Sequence, residues 1–203
     1  MKKKLIAISL VLTALTILAG CGGAVKYPNY YTLHVPPPPD PPVQQGVRAS
    51  VAVREFRSPA YLHQGAVVYK TSPEQIGFYN YHRWAVDPRE VVTNAVADHL
   101  RASGNFTQVK PYDGRSDVDY VLSGRIEKLE EVDYDGGVKV EVVISAQMTS
   151  LATGAVVWTN TVDEVGTVGQ RDVPAVVSQM NRTVEWAIEK LLSPPPAASA
   201  IKD

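Results

Sequence analysis

The sequence predicts an α+β fold, a two-layer sandwich in which a mostly antiparallel sheet carries two long helices on one face. Several segments alternate apolar and polar residues with a period of two, which is typical of half-buried strands, whereas two longer segments have helical spacing. Each helical segment is apolar on one side only, so we expect both helices to cover the same face of the sheet. Hydrophobic residues make up 45% of the 203 residues, which suits one globular core rather than a disordered chain.

The predicted strands follow one another along the chain. Residues 50–56 alternate, and residues 66–79 indicate a hairpin that turns at 72–74. A long antiparallel region comes next and supplies most of the sheet. Its strands are expected at residues 118–126, 138–148 and 155–165, joined by glycine-containing turns at 135–137 and 152–154.

Two helices are predicted, and the first has clear start and stop signals. Asp87 can cap the first helix, Pro88 suits its first turn, and Gly104 lies just past its end. The second helix is expected from about Asp172 to Leu192. The apolar stripes are Val91, Val92, Ala95, Val96, His99 and Leu100 in the first helix, and Val173, Val177, Met180, Val184, Ala187, Ile188 and Leu191 in the second.

The N-terminus has the pattern of a lipoprotein signal peptide. Three lysines precede an uncharged apolar run at residues 5–19, which is shorter than the roughly 20 residues that cross a bilayer as a helix. The run ends in Leu18-Ala19-Gly20-Cys21, which matches the lipobox of bacterial lipoproteins. We therefore predict that Cys21 is lipidated and that acyl chains such as palmitate hold the mature protein on a membrane. Gly22 stands where an Asp would favour inner-membrane retention, so the outer membrane is the expected location.

These signals divide the chain into four parts. We predict a signal peptide at 1–20, a lipid-anchored Pro-rich linker at 21–45, one folded domain at 46–193 and a flexible tail at 194–203. Seven of the 15 prolines lie between Pro28 and Pro42. Because a polyproline segment is a semi-rigid rod of about 3.1 Å per residue, this linker is expected to act as a spacer that lifts the domain off the membrane.

Composition and motifs exclude several classes of function. The chain has 20 Lys+Arg against 21 Asp+Glu, which argues against a protein that binds nucleic acid by neutralising phosphates. A single cysteine and four scattered histidines give no metal-binding motif. No residue pattern indicates a catalytic step or a cofactor site, so we expect a protein that is not an enzyme and binds no cofactor.

The segment before the first helix is unusually rich in side chains that dominate binding sites. Tyr81, His82, Arg83 and Trp84 follow one another directly. One interpretation is a packed junction between strand and helix, in which Trp84 fills the core and Arg83 pairs with an acid. The other is a partner surface, because Tyr, Trp and Arg are enriched in binding hot spots.

Several motifs along the chain resemble those of a known family. They are the lipobox, Tyr30-Tyr31-Thr32-Leu33, Val51-Ala52-Val53, Pro59-Ala60-Tyr61-Leu62, His82-Arg83-Trp84-Ala85 before an amphipathic helix, and Asp119-Tyr120-Val121-Leu122-Ser123-Gly124 at the start of a long strand. Together they resemble the ABC-type transport auxiliary lipoprotein family, which includes the paraquat-inducible (Pqi-type) outer-membrane lipoprotein. The chain departs from this pattern in its Pro-rich segment after Tyr31 and in Val86-Asp87-Pro88.

The resemblance implies a non-catalytic subunit of a transport system that moves lipids or other hydrophobic compounds between the inner and outer membranes. Such systems combine an ABC permease and ATPase with periplasmic proteins that carry the mammalian-cell-entry (MCE) domain. The subunit is expected to dock the periplasmic component at the outer membrane, with a ring of identical copies as one arrangement. The sequence has no Walker A motif, so ATP hydrolysis is assigned to a partner.

Three alternatives stay open on the sequence alone. The chain could be an envelope-assembly or structural lipoprotein unrelated to transport, or a hydrolase whose site is assembled only in three dimensions. Lipid cargo could also contact the domain directly, in a groove between the helices and the sheet.

Overall fold

The strands and helices follow one another in the order that the sequence predicts, with two additional strands. The structure is a computed structural model that describes residues 25–39, 47–114, 117–134, 136–193 and 196. Cys21, the signal peptide and residues 197–203 of the predicted tail lie outside the described residues. The strands are β1 (Asn29–Tyr31), β2 (Val47–Val53), β3 (Ala66–Ser72), β4 (Gln75–Trp84), β5 (Phe106–Pro111), β6 (Tyr120–Val132), β7 (Lys139–Ser150) and β8 (Val156–Thr167). The helices are α1 (Pro88–Ala102) and α2 (Val173–Leu191), and a 3-10 turn occupies Ala60–Gln64.

The long strand β6 is the axis of the sheet. Along one edge β6 pairs antiparallel with β7, which in turn pairs antiparallel with β8. The other edge is shared by two strands, because β2 pairs parallel with residues 120–122 and β3 pairs parallel with residues 131–132. The sheet therefore forks at β6, with β5 beside β2 on one branch and β4 and β1 beside β3 on the other.

Both helices begin at an aspartate cap, of which Asp87 was predicted, and both lie on the same face of the sheet. The side chain of Asp87 accepts a hydrogen bond from the backbone N–H of Arg89, and that of Asp172 accepts one from the N–H of Ala175. Helix α2 packs on β7 and β8, α1 packs on β2 and β5, and the two helices contact each other. The predicted α+β sandwich is thus confirmed. The sheet is mixed, however, and its parallel pairs have no counterpart in the sequence analysis.

The core lies between the helices and the covered face of the sheet. In β7 every second residue is buried, and Val140, Val142 and Ile144 have no exposed surface. On β6, Gly124 gives room to the buried ring of Phe56, because a Cβ atom at position 124 would overlap that ring. In the described part of the chain, neither helix has the length and apolar character needed to cross a bilayer.

The segment before the proline run belongs to the sheet. Strand β1 pairs parallel with β4, Leu33 is buried in the core, and the backbone N–H of His34 donates to Oδ1 of Asn181 on α2 at 3.1 Å. These residues fall within 21–45, where the sequence predicts a linker. The run at residues 36–39 therefore connects β1 to the rest of the domain instead of preceding the first strand.

Candidate functional site

Strand β4 divides the predicted partner surface between two faces. The parallel register places Tyr30 opposite Arg83 and Tyr31 opposite Trp84. Side chains alternate along the regularly paired end of β4, so His82 and Trp84 point to one face and Arg83 points to the other. The register between β3 and β4 shifts between Phe78 and Arg83, so this alternation does not extend back to Tyr81. Trp84 is only 7% exposed and packs in the core, whereas Tyr81 is 39% exposed. The four residues therefore do not form one surface.

His82 belongs to an aromatic cluster on the inner side of this junction. Its ring stacks on Tyr31 with centroids 5.7 Å apart, and a 2.8 Å hydrogen bond joins its Nδ1 to the Tyr31 hydroxyl. The ring of Tyr79 meets His82 edge-on. Burial, and to a lesser extent Asp172, raise the pKa of Tyr31, so this hydroxyl stays protonated.

Arg83 contacts the backbone rather than an acid. Its guanidinium donates to the carbonyl oxygen of Gln64 at the end of the 3-10 turn, at 2.7 Å. The packed-junction interpretation is thus correct for Trp84 and wrong for the partner of Arg83. Of the predicted surface, Tyr81 is the exposed member, and Arg83 points away from the face that His82 and Trp84 share.

Exposed aromatic and basic residues gather around Tyr81. Lys26 Nζ lies 4.6 Å from the centroid of the Tyr81 ring, a cation–π geometry. Tyr27 is 78% exposed and Tyr30 is 63% exposed. We call Lys26, Tyr27, Tyr30, Tyr81 and Arg83 the N-terminal aromatic patch.

Two adjacent glutamates of β6 are buried on opposite faces of the sheet. Glu131 pairs across the strands with buried Val140 on the covered face, and its carboxylate accepts a 2.9 Å hydrogen bond from the Tyr79 hydroxyl. Burial raises the pKa of Glu131 and, more strongly, that of Tyr79. Proximity to Asp133 adds to the rise at Glu131, whereas the Tyr79 hydrogen bond and Arg171 oppose it.

Glu130 has a different set of partners on the other face. It has no exposed surface, accepts a 3.2 Å hydrogen bond from the Tyr61 hydroxyl, and forms a 3.3 Å ion pair with Lys70. The two carboxylates thus point away from each other and cannot act on one substrate as an acid–base pair. Among the described residues, no three His, Cys, Asp or Glu side chains converge as a metal-binding group.

A polar groove of about 470 Å³ lies on the sheet at the level of residues 123–125 of β6. Its floor includes outward-facing residues of the three antiparallel strands, and the segment after β2 forms a wall. We call it the arginine groove. Its lining includes Arg54, Arg57, Ser123, Arg125, Gln147 and Thr161.

The three arginines of the groove differ in how far they are neutralised. Arg125 Nε forms a 2.7 Å ion pair with Glu127, and the Arg54 guanidinium lies 4.4 Å from the centroid of the Tyr112 ring. Arg57 has no ion pair with any carboxylate of the described residues. The groove can therefore bind carboxylates or carbonyl oxygens, whereas an acyl chain would find little apolar surface in it.

The arginine groove has no signal in the sequence analysis. Its residues come from segments that are about 70 and 20 positions apart in the chain, and no motif joins them. Residues 81–84 were predicted as one surface, whereas period-two alternation at the end of β4 separates Arg83 from His82 and Trp84.

Solved structures of other bacterial proteins share the fold. Protein XCC0632 from Xanthomonas campestris superposes with a TM-score of 0.71 at 15% identity, over 85% of this chain and 95% of its own. An uncharacterized protein gives 0.64 at 16% identity, over 83% and 98%. Protein CT253 from Chlamydia trachomatis gives 0.51 at 8% identity, over 73% and 95%. At these identities the likeness concerns the fold alone.

The family comparison is more specific than the structural one. No curated protein matches the chain. The model of the ABC-type transport auxiliary lipoprotein component matches residues 31–190, from the last residue of β1 nearly to the end of α2. The resemblance drawn from the sequence motifs is confirmed, and the chain belongs to the family of ABC-type transport auxiliary lipoprotein components.

Proposed function

We propose that this protein is the non-catalytic lipoprotein subunit of an ABC/MCE-type transport system that moves lipids or other hydrophobic compounds between the inner and outer membranes. The observation that carries the proposal is the family match over residues 31–190 in a chain that also has a lipobox at Cys21. Acyl chains on Cys21 anchor the subunit in the outer membrane. The domain then docks the periplasmic MCE-domain protein, while the permease and ATPase supply the energy at the inner membrane.

The arrangement of the buried carboxylates supports a non-catalytic role. Glu130 and Glu131 face opposite sides of the sheet, and each is engaged by its own tyrosine hydroxyl. Catalysis by a paired acid and base needs two groups that reach the same substrate. These carboxylates are better explained as parts of the folded structure.

The arginine groove is the surface that we assign to the periplasmic partner. It is concave, lies on the face that the helices leave open, and has Arg57 free of carboxylate partners in the described structure. Arginine is one of the three residue types most enriched at binding hot spots, and its planar guanidinium pairs well with carboxylates. The partner segment is therefore expected to present acidic side chains. The polar lining disfavours direct binding of lipid tails at this position.

Photo-crosslinking in intact cells tests both the partner and the surface. A benzoylphenylalanine introduced in place of Arg57 is expected to crosslink an MCE-domain protein, which mass spectrometry would identify. The matched control is the same substitution at Arg101, an exposed arginine of α1 that pairs with Asp98. Replacing Cys21 by Ser should release the protein from the membrane and reduce the crosslink.

Two outcomes would contradict the proposal. Crosslinks from position 57 to envelope-assembly proteins, with no MCE-domain protein among them, would favour an assembly or structural lipoprotein. Equal crosslinking from positions 57 and 101 would leave the transport role standing and remove the groove as the docking surface.

A further inference from the structure

The distance between the lipid anchor and the domain is short. Asn29, the first residue of β1, is eight positions after Cys21. A fully extended chain covers about 3.5 Å per residue, so this tether spans at most about 28 Å, roughly one domain diameter. The proline run at 36–39 follows β1 and cannot lengthen it.

The surface at the end of this tether is the N-terminal aromatic patch. Tyr30 and Arg83 are opposite each other in the parallel pair of β1 and β4 and so share one face of the sheet. Lys26 lies over the ring of Tyr81 on the same strand β4. The patch is thus continuous from Lys26, five residues after the predicted lipidation site, to the edge of the sheet.

The exposed rings of the patch have no partner in the core. Tyr27 and Tyr30 are 78% and 63% exposed, whereas the neighbouring Tyr31 packs against the core cluster. Tyrosine is enriched where one side of a ring meets hydrocarbon and the hydroxyl meets water, as at the bilayer interface. Lysine and arginine beside such rings are attracted to anionic headgroups.

We propose that the N-terminal aromatic patch is the membrane-contact surface of the domain. Tyr27, Tyr30 and Tyr81 lie at the level of the lipid headgroups, and Lys26 and Arg83 approach lipid phosphates. The inference rests on the proposed lipid anchor at Cys21, which holds the patch within reach of the bilayer.

The charge of the whole protein makes the patch an orienting element rather than an anchor. Removal of residues 1–20 takes away three of the 20 Lys+Arg and none of the 21 Asp+Glu, so the mature chain has 17 against 21, a balance of −4. An acidic protein is not drawn to anionic lipid as a whole. The patch places two cations and three rings at one position and thereby favours one orientation of the domain.

Depth-dependent quenching tests this orientation. The acylated mature protein is reconstituted in vesicles of phosphatidylethanolamine and phosphatidylglycerol that contain brominated lipid. Tyr30→Trp is expected to show a blue-shifted emission and at least twofold stronger quenching than Leu151→Trp. Leu151 is 47% exposed in the turn between β7 and β8, beside Asp119. Trp84, Trp158 and Trp186 contribute the same background to both variants.

Flotation of the vesicles separates failure of the patch from failure of the anchor. If both variants float with the vesicles but are quenched equally, the patch is not the contact surface although the anchor holds. If the wild-type protein does not float, the lipid anchor itself is wrong. A second variant combines Tyr81→Ser with Tyr30→Trp. It should show weaker quenching than Tyr30→Trp alone, and circular dichroism should show that its fold is unchanged.

Discussion

The two faces of the β6–β7–β8 region are built from alternate residues of the same strands and serve different purposes. On β7, Val142 and Ile144 have no exposed surface and pack beneath the helices. Beyond them on the same strand, Ser145 and Gln147 line the arginine groove on the open face. The covered face stabilises the domain, whereas the open face is available for partners. This separation makes the two roles accessible to independent substitutions.

The largest effect is expected on the covered face, at Phe56. The ring is 1% exposed and lies across Gly124, so Phe56→Ala removes a large buried side chain and leaves a cavity. We expect the free energy of unfolding to fall by about 3–5 kcal/mol, measured by urea denaturation. As the open-face counterpart, Gln147→Ala should change it by no more than about 0.5 kcal/mol. Equal effects of the two substitutions would break the distinction between the faces.

A double-mutant cycle tests whether Phe56 and Gly124 act as one contact. Gly124→Ala in the wild-type protein forces a methyl group into the Phe56 ring and should destabilise the domain by about 1–3 kcal/mol. In the Phe56→Ala background the same methyl group enters the cavity, so its cost should largely disappear. If the destabilisation by the two substitutions is additive, the contact with the Phe56 ring is not the reason for glycine at position 124.

The next effect concerns the hydrogen bond from the Tyr79 hydroxyl to the buried carboxylate of Glu131. Tyr79→Phe leaves Glu131, which is 3% exposed, without its hydroxyl donor. We expect a loss of about 1–3 kcal/mol in the free energy of unfolding. Tyr69→Phe is the matched control, because the Tyr69 ring lies 4.8 Å from that of Tyr79 and its hydroxyl donates to no carboxylate of the described residues. A loss of similar size in both variants would assign the effect to ring packing.

The smallest effect is a dependence of stability on pH. Burial raises the pKa of Glu131 in the folded state above its usual value of 4.5, so the folded protein holds this proton more tightly than the unfolded chain does. The contribution of Glu131 to stability is therefore complete below the unfolded pKa and is lost as the pH rises through the folded pKa. Glu131→Gln should become progressively more stable relative to wild type across this window, as urea midpoints at a series of pH values would show. Parallel pH profiles would contradict the assignment.

The sequence predicts the elements whose apolar residues recur with a strong period. It does not predict the elements whose position depends on contacts with distant parts of the chain. Alternation predicted the antiparallel region of β6, β7 and β8, and apolar stripes predicted both helices, the first of them with its Asp87 cap. Strand β5 was missed because Phe106 and Val109 are its only large apolar residues, and they are three positions apart. The parallel pairs of β2 and β3 with β6 depend on how α1 and the 3-10 turn return the chain, which no local pattern records.

The candidate surfaces show the same limit. Aromatic and basic residues at 81–84 predicted one partner surface, but Trp84 is buried, and of the four only Tyr81 and Arg83 belong to the N-terminal aromatic patch. Its other members, Lys26, Tyr27 and Tyr30, fall in a segment that composition alone assigns to a linker. The arginine groove depends entirely on the folded sheet, because β6 brings together side chains that are distant in the chain.

The prolines at 36–39 have a further consequence for the entropy of the chain. Strand β1 has only three residues, so its hydrogen bonds to β4 supply little free energy. If the segment that follows β1 were flexible, the conformational entropy lost in ordering it would offset that gain. Proline fixes φ in the unfolded chain as well as in the folded one, so the run has few conformations to lose. The stiff residues 36–39 thus favour a three-residue strand that stays paired at the edge of the sheet, beside the patch that we propose as the membrane-contact surface.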